Sequence, residues 1–118
     1  MLIAAPFEIL DLPDRGELVT RVTRWELGEG TIKPARAPEG VLVNIIRMHV
    51  PPADKRVAPA YWDVTATTLI PSLVAQLPDA IAQQRWIRIQ KFGVAPRARF
   101  SLEVFPPGQG GPAFEGRR

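Results

Sequence analysis

The sequence predicts an α+β fold dominated by β-structure: a small barrel or a strongly bent antiparallel sheet, with one helix between the third and fourth strands. Three observations carry this. Short runs rich in Val, Ile, Thr and aromatic residues, the composition of strands, recur along the chain. Thirteen prolines and nine glycines are spread between them. Proline cannot donate to a ladder and glycine supplies φ > 0, so both punctuate short elements. Finally, only one segment repeats its apolar residues with a helical period.

The elements follow in order. Residues 2–12 are apolar around Pro6, as in an edge strand or an extended arm. "DLPDRGE" then reads as a turn. "ELVTRVTRWEL", residues 17–27, has strand composition, yet neither alternating face is purely apolar, which suits a half-solvated sheet. "GEGTIKPARAPEG", residues 28–40, reads as a long connection. "VLVNIIRMHV", residues 41–50, is nearly all apolar and predicts a central strand buried on both faces. "PPADKRVAP" ends it in an exposed loop, and residues 60–64 resume a short strand.

The helix is expected over about 68–77. Thr67 or Thr68 can cap it, because a hydroxyl accepts from the free N–H groups of a first turn. Ile70, Leu73, Val74 and Leu77 make one apolar face, and Pro78 is expected to interrupt it. Strands follow at 85–92 and 99–105. Counted from Glu17, the order is three strands, a helix and two strands, which is similar to the OB-fold in element order. Residues 1–16 form an arm or edge strand, 17–105 a single β-rich domain, and 106–118 a flexible Pro/Gly-rich tail.

Composition excludes several chemistries. The 118 residues suit one domain, with 46% apolar and 23% charged residues. The absence of cysteine removes disulfides, thiolate nucleophiles and zinc knuckles. No apolar run approaches the ~20 residues needed to cross a bilayer, so no membrane partner is expected. The start has no basic n-region and acids arrive by Glu8, which predicts a cytoplasmic protein. The single histidine, His49, is expected half-buried at a strand end, and neither Ser72 nor Ser101 stands in a nucleophile elbow. "GQGG" has no following Lys-Ser/Thr and is no P-loop. The expectation is a non-enzymatic protein with no metal and no organic cofactor.

The net charge of +3 is small, so its distribution matters more. The stretch Arg85–Phe105 holds five basic residues before its first acid, Glu103. Alternation puts Ile87, Ile89, Phe100, Leu102 and Val104 on one face, and Trp86, Arg88, Gln90, Phe92, Arg99 and Ser101 on the other. Arg97 lies at the tip and Lys91 flanks it. Rings for stacking beside cations for phosphates are the ingredients of single-stranded nucleic-acid binders. The expected site is therefore Trp86, Arg88, Lys91, Phe92, Arg97 and Arg99, extended by Arg21, Arg24 and Trp25. Loops carrying Lys33, Arg36, Lys55 and Arg56 would close over the strand. Two other readings stand beside this one. Trp86 and Phe92 can be core residues beneath a second layer, with the bases solvating the sheet. Alternatively, the chain is an assembly subunit of a capsid-associated or other multiprotein complex, a homo-oligomer or heteromeric, docking through the apolar arm 1–12.

Overall fold

The computed structural model describes residues 1–33, 37–94 and 96–110. It has two antiparallel three-stranded sheets and one helix. The strands are β1 (Glu17–Thr20), β2 (Arg24–Ile32), β3 (Val41–His49), β4 (Tyr61–Val64), β5 (Ile87–Phe92) and β6 (Arg99–Val104), with α1 (Leu69–Ala82) between β4 and β5. One sheet has the order β1-β5-β6, the other β2-β3-β4. No closed barrel forms among the described residues. No helix among them is long and apolar enough to cross a membrane.

The run 17–27, expected as one strand, is divided between the sheets. Leu18 and Thr20 face inward opposite Ile89 and Ile87. Val22 is buried between the sheets, and the Thr23 N–H then bonds to the His49 carbonyl. Beyond that bend the inward residue is Trp25, opposite Met48. The inward set thus changes from even to odd numbers between Val22 and Trp25. Side chains alternate strictly along an unbroken strand, so a chain that changes parity half-way shows no clean apolar face. That is why 17–27 looked half-solvated.

β2 also runs further than expected, through Gly28 and Gly30 to Ile32, paired throughout with β3. The glycines that suggested a loop serve a close approach. An added Cβ at Gly28 would lie 2.6 Å from the Met1 carbonyl oxygen. One at Gly30 would lie 2.8 Å from the Phe7 ring and 2.7 Å from Ile45 Cδ1. The amino-terminal arm therefore lies flush on this sheet. It pairs first along the outer edge of β2, where Ile3 N–H donates to the Glu29 carbonyl and Glu29 N–H to that of Met1. It then crosses the sheet through Pro6 and Phe7. Finally it pairs along the outer edge of β4, through Leu10 N–H to the Asp63 carbonyl and Asp63 N–H to that of Glu8. Ile3 is buried, and Leu10 and Leu12 pack against the main core. The apolar arm thus packs on its own chain, while Met1 and Leu2 stay exposed.

Within β3, Ile45–Met48 are buried as expected of a central strand, but Val41 and Leu42 at its start are exposed. Met48 and Ile46 face α1 and the main core; Ile45 and Arg47 face the arm. α1 contributes Leu69, Ile70, Leu73, Leu77 and Ala80 to the interior. Pro78 does not end it. An interior proline costs roughly 3 kcal/mol, but Ala80 and Ile81 continue the apolar stripe for another turn, and their burial opposes that cost. Thr68 occupies the N-cap position without a side-chain capping bond. The far end closes with Arg85 N–H on the Ala80 carbonyl and Gln84 N–H on that of Ile81, the Schellman pattern, with Gln84 at φ 54° where glycine is usual. The loop after β3 includes a 3₁₀ turn, Pro52–Asp54. The tail's residues 111–118 lie outside the described residues, as does Arg36.

Candidate nucleic-acid interface

The hairpin β5–β6 has the alternation its sequence implies. Its pairs are Ile87 with Val104, Arg88 with Glu103, Ile89 with Leu102, Gln90 with Ser101, Lys91 with Phe100 and Phe92 with Arg99. Directly opposed residues share a face. The inner face therefore holds Ile87, Ile89, Leu102, Val104 and Phe100. The outer face holds Arg88, Gln90, Phe92, Arg99, Ser101 and Glu103. Glu17 and Val19 of β1 extend that outer face, opposite Gln90 and Arg88.

The nine expected residues separate into two groups. Phe92, Arg97 and Arg99 remain together at the distal end of the hairpin. Phe92 is 42% exposed, and Arg97 and Arg99 are exposed, with no ion pair to another described residue. Lys91 is half-buried and belongs to the face opposite theirs, across from Phe100. One cation was missed: Arg15 lies beside this end, its N–H donating to the Lys91 carbonyl, and it is exposed at φ 66°. The only signal for it was the "DRG" turn. Asp14 fastens that turn to the hairpin by accepting from Gly93 N–H at 2.7 Å.

The remaining expected residues are engaged elsewhere. Arg88 is hydrogen-bonded to Glu103, lies 3.9 Å from Glu17, and stands over the Phe105 ring at 5.9 Å. Its charge is met on both sides by cross-strand neighbours. Trp86 is half-buried, with Arg21 over its ring at 5.6 Å and Gly110 against its Cβ. Arg24 pairs with Glu26 at 3.5 Å on the other sheet. Trp25 lies on that sheet's inner face, packed on the core. Lys55, expected in an exposed loop, is turned inward. Its Nζ donates to Glu8 at 2.9 Å and to the Val57 carbonyl, and it stands over Trp62 at 4.5 Å. Spacing alone could not separate these groups, because Arg88, Arg21 and Lys55 each meet a partner from a distant part of the chain.

No family model, curated protein or solved structure matches the chain.

A second polar cluster lies under the arm. Arg47 donates from Nε and Nη2 to both oxygens of Asp63, at 2.7 and 2.9 Å, and to the Pro6 carbonyl. Its guanidinium lies 3.9 Å from the Tyr61 ring centre, and the Tyr61 hydroxyl donates to the same Pro6 carbonyl. The bond from Asp63 holds Arg47 further above its ordinary pKa, against the opposing effect of burial. Beside it, His49 Nε2 lies 2.5 Å from Glu26, and that hydrogen bond holds the Glu26 carboxyl below its ordinary value. These groups are directed at one another and at the arm. Among the described residues no group of three or more His, Cys, Asp or Glu side chains is placed to hold a metal ion.

Proposed function

We propose that this chain is a non-enzymatic binding domain for single-stranded nucleic acid, acting through the distal end of β5–β6. The observation that carries the reading is the exposed cross-strand pair Phe92–Arg99 with Arg97 at the tip. A flat ring offers a stacking surface beside cations that no described carboxylate neutralises. Gln90 and Ser101, adjacent on the same face, supply hydrogen-bonding groups, and Arg15 adds a further charge.

The connectivity supports the reading. β1 and β2 are consecutive and bent apart, one half pairing with β5 and the other with β3. Taken as one long strand, they give the order β4-β3-(β2/β1)-β5-β6, with a helix after the third strand. This order is similar to that of the OB-fold, in which loops such as the β5–β6 turn border oligonucleotide sites.

Titration of a labelled oligonucleotide at two salt concentrations tests this. Binding should weaken with salt, with a log–log slope of about −0.7 per phosphate neutralised. Arg97→Glu with Arg99→Glu should remove binding at low salt while leaving the thermal midpoint nearly unmoved. Undiminished binding by that variant would end the assignment.

One observation favours the assembly reading instead. Leu27 and Leu42 are exposed on the same face of β2–β3, the face of Ile46 and Met48, and exposed apolar residues of this kind are what partners cover. A mass measurement in solution distinguishes the two, since a stable oligomer weakened by Leu42→Glu would favour assembly.

A further inference from the structure

Where the bend between β1 and β2 meets the carboxyl-terminal end of α1, a cleft of about 370 Å³ opens, lined by Arg21, Val22, Thr23, Ile81 and Gln84. Pockets for small organic ligands start at about this size. Val22 and Ile81 give it apolar walls, and Thr23 and Gln84 give it hydrogen-bonding groups.

Arg21 is the anomaly in this cleft. Among the described arginines that are not fully exposed, Arg47 has Asp63, Arg85 has Asp79 and Arg88 has Glu103. Among the described residues Arg21 has no carboxylate partner, and its Nε is buried without a hydrogen bond. The residues lining the cleft include no acid. Nor is Arg21 needed at the helix end by Ala80 and Ile81, whose carbonyls already accept from Arg85 and Gln84. The guanidinium is held over the Trp86 ring at 5.6 Å, an arrangement that orients a planar cation in advance of any anion. Arg21 is half-buried as a whole, and its buried Nε–H is costly while it stays unpaired.

We propose that this cleft binds a small organic carboxylate with an apolar body. The carboxylate would sit on Arg21, which offers parallel N–H donors matched to its two oxygens. The body would lie against Val22 and Ile81. A single cation neutralises a single charge, which favours a carboxylate over a phosphate dianion. The residues are distinct from Phe92, Arg97 and Arg99, so this site stands or falls independently of nucleic-acid binding.

Two-dimensional NMR of ¹⁵N-labelled protein tests it, with benzoate and 2-naphthoate as probes, inorganic phosphate for comparison, and chloride at matched ionic strength as control. The carboxylates should shift the Arg21 Nε–H signal saturably, together with the amides of Val22, Thr23, Ile81 and Gln84, and naphthoate should bind more tightly than benzoate. Arg21→Gln should weaken binding at least tenfold. Thr23→Trp, which fills the cleft and leaves the guanidinium in place, should do the same and covers the event that the first variant does not fold. Absence of saturable shifts, or affinity retained in Thr23→Trp, would overturn the proposal. So would tighter binding of phosphate than of naphthoate, or an oligonucleotide that moves Arg21 when the carboxylates do not.

Discussion

Asp63 has no exposed surface, and Arg47 opposite it is also buried. Their bidentate pair is best understood through what its loss would leave behind. Removing one member of a buried pair strands the other charge in a poor solvent, at about 3–5 kcal/mol. Asp63→Asn should therefore lower stability by about that amount in urea unfolding. Hydrogen exchange should accelerate at the Leu10 amide, because Asp63 also anchors the arm through Glu8 N–H. Glu26 supplies a second prediction. Its carboxyl is held below the ordinary 4.5 mainly by the bond to His49. A depressed folded-state pKa contributes stability that is complete above the unfolded value and is lost as pH falls through the folded one. The wild type should thus exceed Glu26→Gln in stability at pH 6, and the gap should close progressively below about pH 4.5. A gap that stays constant down to pH 3 would show that this carboxylate is not involved.

At the scale of elements, two local features invite substitution. Gln84 holds a left-handed conformation at the end of α1, where a side chain costs about 1–2 kcal/mol and glycine costs almost nothing. Gln84→Gly should raise the thermal midpoint, offset in part by the greater freedom glycine has in the unfolded chain. Gly30 is the opposite case. Gly30→Val would thrust its side chain into Phe7 and Ile45, with an expected loss of about 1–3 kcal/mol from overpacking. Protection at the Ile3 and Glu29 amides should fall with it. Gly30 also shows where the sequence misled. Gly28 and Gly30 resemble loop residues until the arm is seen lying on them, and the arm's position follows from contacts far along the chain. β3, β4, β5, β6 and the stripe Ile70–Leu73–Leu77 were legible because their periodicity is local. The division of 17–27 was not, because the parity change at the bend removes the very alternation by which strands are recognised.

For the molecule as a whole, the same contrast governs the candidate site. The hairpin's two faces could be read from alternation, since pairing is antiparallel and the intervening turn is short. Which cations remain free could not, because neutralisation depends on tertiary neighbours. Glu17 approaches Arg88 from another strand, and Glu8 reaches Lys55 from the arm. A basic run of five thus reduces to a compact end, Phe92, Arg97 and Arg99, with Arg15 added from a turn that seemed incidental.

The arm has a consequence for how the chain reaches this state. Residues 1–10 are synthesised well before the strands they cover, and the Glu8–Asp63 contact spans 55 positions. Until Asp63 is in place, the arm has only β2 to join, and β4 then awaits it with an open edge. An unpaired edge is a template for other chains. A bulky group attached ahead of the arm would therefore prolong the interval in which the β4 edge can recruit a second copy in place of residues 8–10.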